Sequence, residues 1–347
     1  MSALDGAAYS PKEFQLAIKI DSTIGAQSST GSMQLVNVDS VEMPNFNLTQ
    51  VLDIRSGSAG RAADIDDALI DEKGVTKEIS FSGIFDTTVA PLLLQNCVGL
   101  TEGTVTSDQI TIPHTYTPPE LETGAASAIN KTITIAVIAP ATSGGHRSII
   151  FPGCVITSLS ISGDMANESG RLRFTATART GFISSFTQAA PSSPSAYGTS
   201  FYSLATLAGT AKKTIAGAED CVIQSFSLNL ENPSEFLGQG DASGNPESIV
   251  RAIPEFSATL DATVKYDNQT AELPTTMKAG TTVISNLANN ATFASATGFG
   301  FLSTFGKITN VAYNEANAMM YDVSVKFFAD ASESGGTDSG RMLTIVT

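Results

Sequence analysis

The densest group of potential ligands in this chain is Asp64-Ile65-Asp66-Asp67, followed closely by Asp71-Glu72. Carboxylates at such short spacing are the raw material of a calcium loop, in which oxygen ligands converge on one hard cation. The glycine needed at the sharp turn of such a loop is missing, and so is a glutamate at its twelfth position. The segment therefore reads as a solvated acidic loop. His114 and His146 are the only histidines, and neither has a Cys or His at zinc-ligand spacing. Thr337-Asp338-Ser339-Gly340 places a serine beside an acid, but in a Ser/Gly-rich turn without the glycine pattern of an oxyanion hole. Gly298-Phe299-Gly300 and Gly306-Lys307 have the wrong spacing for a phosphate loop, and Ile308 stands where a magnesium-binding hydroxyl belongs. Phe299, Phe301 and Phe305 read instead as core or inter-subunit packing. Arg171, Arg173 and Arg179 share one face of a strand and are placed to pair with acidic loops of a neighbour. No catalytic, metal or cofactor site is expected.

Composition points the same way. The 347 residues carry 34 acidic and 19 basic side chains, a formal net charge of −15. Up to Phe182 there are 19 acidic and 11 basic residues, and beyond it 15 and 8, so the acidity is spread over both halves. Without a Lys/Arg cluster the chain has little means of gripping phosphate by counterion release. It can still face nucleic acid without holding it. Cys97, Cys154 and Cys221 are odd in number and widely spaced, as expected of buried free thiols in a protein made in a reducing cytosol. The N-terminal residues show neither the basic nor the apolar region of a signal peptide, and the most apolar window, Ile133 to Pro140, is too short to span a bilayer. A soluble protein that does not bind membranes is expected.

The elements that must position these residues are strands. Alternating or β-branched runs cover Phe14–Ile20, Leu35–Val41, Ile79–Phe85, Thr132–Ile138, Val155–Ile161, Arg171–Ala178, Val222–Leu230, Phe256–Val264, Lys307–Tyr313 and Tyr321–Phe328. Ser162-Gly163-Asp164 and Tyr313 to Asn317 read as hairpin turns. Two short helices are expected, Thr88–Val98 with Pro91 near its start and Gly99 past its end, and Thr270–Ala279 before Gly280.

The order strand, long loop, strand, helix, hairpin occurs twice. It divides the chain into an N-terminal arm and first strand (1–34), a first unit (35–183), a Pro/Ser-rich linker (184–217) and a second unit (218–347). Cys154-Val155-Ile156-Thr157-Ser158-Leu159-Ser160-Ile161 is also echoed by Cys221-Val222-Ile223-Gln224-Ser225-Phe226-Ser227-Leu228. That echo matches a late strand of one unit to an early strand of the other, so it is not the register of the repeat.

This order, with several phrases, resembles the major tail tube proteins of long-tailed bacteriophages, in particular the larger family with two tube-like units per chain. The phrases are Ile20-Asp21-Ser22-Thr23-Ile24-Gly25, Ile79-Ser80-Phe81-Ser82-Gly83 before a Leu-rich helix, and Ile112-Pro113-His114-Thr115-Tyr116-Thr117-Pro118. The closest runs from Pro152-Gly153 through Ile161-Ser162-Gly163, followed by Leu172-Arg173-Phe174 through Thr180-Gly181. The likeness extends from about Phe14 to Phe328.

The resemblance implies an all-β fold of tandem β-sandwich units, each flanked by a short helix, whose inner sheets join into a ring-shaped barrel. It implies that six units close a ring and that rings stack into a hollow tube in the virion tail, assembled in the host cytoplasm. Three chains complete a ring if both units line the lumen, which is the favoured reading, and six if only one does. The implied partners are further copies of the chain, a tape-measure protein, the tail terminator, and baseplate or distal tail proteins, with DNA passing through unbound. Asp64, Asp66, Asp67, Asp71 and Glu72, with Glu231, Glu235 and Asp241, are candidate lumen or inter-ring charges. Leu52–Thr76 and Glu231–Ile253 are expected to be poorly ordered in a monomer and to reach the adjacent ring. The competing readings are a secreted or cell-surface β-sandwich of adhesin or S-layer type, and another virion protein of the baseplate or capsid surface.

Overall fold

The computed structural model describes residues 13–21, 24–25, 33–44, 49–52, 68–71, 75–98, 109–112, 121–122, 132–139, 148–187, 194–207, 213–238, 244–251, 255–288, 298–315, 319–330 and 342–346. The fold is all-β, with three short α-helices among the described residues. In chain order the first elements are β1 (Gln15–Ile20), β2 (Gln34–Val36), β3 (Val38–Glu42), β4 (Thr49–Leu52), β5 (Ala68–Asp71), β6 (Lys77–Ile84) and α1 (Ala90–Val98). Next come β7 (Gln109–Ile112), β8 (Leu121–Glu122), β9 (Ile133–Ile138), β10 (Ser148–Asp164), β11 (Arg173–Thr180), β12 (Ser185–Thr187) and α2 (Leu204–Leu207). The remainder is β13 (Lys213–Thr214), β14 (Ile223–Glu231), β15 (Ser234–Leu237), β16 (Ser248–Arg251), β17 (Ser257–Lys265), α3 (Leu273–Ala279), β18 (Val283–Ala288), β19 (Gly300–Asn314), β20 (Met320–Phe327) and β21 (Leu343–Val346).

Side-chain alternation explains most of these strands. In β6, β11, β17 and β20 every second residue is buried and those between are half-buried or exposed, the pattern of a sheet packed on one face. By contrast β9, Ile-Thr-Ile-Ala-Val-Ile, is buried throughout because it is covered on both faces. The strand expected over Leu35–Val41 is divided at Asn37, whose amide turns away to donate to Asp86 Oδ2 (3.2 Å) and the Gly198 carbonyl (3.1 Å). Ser162-Gly163-Asp164 is not a turn: β10 continues to Asp164, and the chain reverses only beyond it. Likewise β19 runs through Tyr313 to Asn314.

The main sheet follows the path β13-β18-β19-β20-β17-β14-β10-β11-β6-β3, with β1, β2, β7, β9, β12 and β21 joined off it. Among the described residues it is open rather than closed on itself. One core runs through it, from Leu16, Phe81 and Leu159 to Leu228, Val323 and Phe327.

Residues 194–207 are built into this fold. Ser195 bridges Gln34, the Leu172 amide donates to the Tyr202 carbonyl (2.9 Å), and buried Leu204 joins the core.

Candidate functional site: two sheet edges and a polar face

Within the main path the same four-strand arrangement occurs twice. One set is β3-β6-β11-β10, the other β14-β17-β20-β19. Their irregularities coincide. Thr157 is the extra residue where β10 slips against β11, and Thr309 is the extra residue where β19 slips against β20. Asp39 interrupts β3 against β6 as Gln224 interrupts β14 against β17. A β-bulge bends and twists its strand, so each set is shaped by the same pair of devices. Aligning the bulges places Ile161 on Tyr313, Phe174 on Tyr321, and Leu228 on Met43.

The two sets meet inside the chain. The second half of β10 pairs antiparallel with β14 from Ser158 opposite Glu231 to Asp164 opposite Ser225. The apolar side of this junction is closed, with Leu159, Leu230, Ile161 and Leu228 all at 0% exposure. Gly163 permits the fit, since a Cβ there would lie 2.6 Å from Leu172 Cδ2 and 3.2 Å from the Phe226 ring. On the polar side the Ser160 hydroxyl donates to Asn229 Oδ1 (2.7 Å).

Each set keeps one edge that no other described strand pairs. In the first it is the outer edge of β3. In the second it is the Ile308–Asn314 half of β19, beyond the part covered by β18. Large apolar side chains stand at both: Met43 is 37% exposed and Tyr313 60%. The Tyr313 ring is held in place against Tyr321, 4.9 Å away, which packs in turn on Tyr266 at 5.2 Å. An unpaired edge offers a row of backbone donors and acceptors to another chain.

One face of these eight strands is apolar, and it is buried except at β3 and the free half of β19; the other carries hydroxyl, amide and charged groups. Across it run Ser40–Ser82 (2.8 Å), Ser80–Thr177 (3.2 Å), Asn229 Nδ2 to Asp261 Oδ2 (3.1 Å), Ser324 Oγ to Asp261 Oδ1 (2.6 Å) and Thr263 Oγ1 to Asp322 Oδ1 (2.7 Å). Three of the cations on this face are offset within the chain, whereas Lys265 is exposed on the same face and Lys307, opposite Lys326, donates to the Gly280 carbonyl. Arg173 pairs with Asp39 and with Glu168, Arg179 lies 3.9 Å from Glu78, and Lys326 lies 3.0 Å from Glu255. Being exposed, such pairs contribute about 1 kcal/mol or less. Arg171 lies over the Phe201 ring at 4.8 Å.

Of the acidic residues singled out from the sequence, Glu231 and Glu235 have described side chains. Glu231 ends β14 on the polar face, opposite Ser158 and Ser257, whereas Glu235 is exposed on the small β15–β16 hairpin. Asp71 ends β5, and nothing is described of its side chain. Asp64, Asp66, Asp67, Glu72 and Asp241 lie outside the described residues, as do His114, His146 and Thr337 to Gly340. Of the phenylalanine run, Phe299 and Phe301 are core and Phe305 is half-buried. Asp261, Asp322, Met43 and Tyr313 were not singled out. Asp261, Tyr313 and Asp322 lie in runs read as strands from the sequence, and Met43 lies just past one.

The described part of Glu231–Ile253 packs against the rest of the chain. Arg251 of β16 is 1% exposed, and its guanidinium donates to the carbonyls of Asn96 (2.5 Å), Cys97 (3.1 Å) and Ile156 (2.9 Å). The Asn232 amide also donates to the Cys97 carbonyl (2.7 Å). Carbonyls at a helix C-terminus lack intrahelical partners and carry partial negative charge, so a cation there satisfies both needs of α1. At the other end, Asp86 Oδ1 accepts from the Thr88 and Val89 amides, both at 2.9 Å.

Two further features bear on chemistry. Buried Asp21 accepts from the Thr132 (2.6 Å) and Thr134 (2.5 Å) hydroxyls, and desolvation pushes its pKa up to about 6. All three cysteines are free and buried, and burial raises Cys97 to about 12, Cys221 to about 11 and Cys154 well above the ordinary thiol value. Among the described residues no His, Cys, Asp and Glu side chains cluster as a metal site, and no helix is long and apolar enough to cross a membrane. No family model matches the chain, and no curated protein matches it.

Proposed function

We propose that this chain is a major tail tube protein of a long-tailed bacteriophage, a structural subunit that closes into rings and stacks into a hollow conduit for DNA. The observation that carries this reading is the pair of open edges. They belong to two strand sets that already join through one such edge inside the chain. An element that pairs head to tail with its own copy propagates until the rotation closes. Three chains, each supplying two four-strand sets, complete such a ring and pair the open edges of those sets.

In that ring the apolar faces are committed to the core, so the polar face lines the channel. Short hydroxyl and amide side chains, with Arg173, Arg179 and Lys326 each offset by a nearby carboxylate and Asp261 and Asp322 on the same face, offer DNA little net attraction. Low friction follows, because sequence-independent affinity for DNA comes from unneutralised Lys and Arg. Tape-measure, terminator and baseplate proteins are the partners such a tube requires.

Negative-stain microscopy of the purified chain, with mass photometry of isolated rings, tests the proposal. Annular particles or hollow tubes built on three-chain rings are expected. Strictly monomeric particles at high concentration would count decisively against it.

A further inference from the structure

We infer that the Val41–Met43 edge of one copy pairs antiparallel with the Tyr313–Glu315 edge of the next, with Met43 opposite Tyr313 and Glu42 opposite Asn314. This assignment rests on the ring reading and adds the register of its joint.

The register is carried over from the junction inside the chain. There Ile161 lies opposite Leu228 and Ser162 opposite Ser227. Alignment of the Thr157 and Thr309 bulges places Tyr313 and Asn314 where Ile161 and Ser162 stand. Alignment of the Asp39 and Gln224 bulges places Met43 and Glu42 where Leu228 and Ser227 stand. The ladders between these strands agree with both alignments: Ser82 faces Thr175 in one set, and Thr263 faces Asp322 at the matching place in the other.

Exposure supports the same pairing. Ile161 and Leu228 are fully buried where their strands pair over the core, whereas Tyr313 and Met43, at the matching positions, are 60% and 37% exposed. Each is the apolar side chain that the internal junction would cover. Side chains directly opposite in an antiparallel pair share a face, so Glu42 and Asn314 would fall on the polar side as Ser227 and Ser162 do. Pro44 marks one end of the ladder, because proline has no N–H to donate. The two edges differ in sequence and shape, so the joint is heterologous, and a second copy is its occupant.

The test is disulfide trapping in the full-length chain. Met43→Cys combined with Tyr313→Cys should oxidise to covalent two-chain and three-chain species in most of the protein, because opposite strand positions lie within disulfide range. The native thiols are buried and should not interfere. Met43→Cys with Ala312→Cys, displaced by one residue, should yield only a minor fraction, since a one-residue slip turns the side chain to the other face. If the first pair disturbs folding, Glu42→Cys with Asn314→Cys serves in its place. Rings that assemble without register-specific cross-links would overturn the joint and leave the ring standing. Efficient dimers from Met43→Cys alone would also overturn it, by showing like edges paired. A chain that never assembles would overturn both.

Discussion

Ile161 and Leu228 face each other across β10 and β14, although each ends one of two nearly matching octapeptides. The twin phrases are therefore neighbours in one sheet, not corresponding parts of a repeat. Their likeness has a physical basis, since both must supply alternate apolar groups to one core and alternate polar groups to one face. The structural counterpart of Ile161 is Tyr313, reached through the shared bulge.

Truncating this contact should weaken the link between the two strand sets. Leu228→Ala removes a fully buried side chain from a packed joint, and a loss of about 2–5 kcal/mol is expected. Denaturant unfolding provides the measurement. A loss below about 0.5 kcal/mol, ordinary for surface sites, would show that the junction tolerates a void.

Arg251 offers a second test, because it joins the second half of the chain to the helix of the first. Arg251→Ala leaves α1 carbonyls without their charged donor, and about 1.5–3 kcal/mol of stability should be lost. Arg251→Lys keeps the charge but not the forked geometry, so its stability should fall between the two. Hydrogen exchange should show the change concentrated at the Cys97 end of α1.

Asp21 should give stability a pH dependence of unusual sign. Its folded pKa, about 6, lies above the ordinary carboxylate value of 3.8, so the folded state binds the proton more tightly than the unfolded chain. Its contribution is thus most favourable below pH 3.8 and is lost as pH rises through 6, a change of about 3 kcal/mol. Asp21→Asn should remove this component. Unfolding curves of both proteins between pH 4 and 7 provide the check, and parallel profiles would refute it.

The channel role of the polar face can be tested at Thr175, an exposed hydroxyl near the middle of β11. Thr175→Arg should change folding stability by less than about 0.5 kcal/mol. Repeated around every ring, however, it adds a cation at each level and should make assembled tubes retain DNA at low salt. Gel retention of DNA with mutant and unmodified tubes separates the outcomes; equal behaviour would remove this face from the lumen.

What the sequence alone determined was local. Alternation revealed most long strands, because a half-buried strand must repeat every two residues, and Pro91 with its apolar cluster marked α1. The repeated order of elements was also legible, since it needs only the type of each segment. The tertiary structure decided which strands became neighbours. Nothing in the residues around Ile161 identifies Leu228 rather than another apolar strand as its partner, because backbone pairing is nearly blind to side-chain identity. Nor could a lone arginine in a loop reveal that it ends a helix far away in the chain. The acidic loops drew attention because charge is conspicuous in a sequence. Met43 and Tyr313 became informative only once the fold left them exposed at its two open edges.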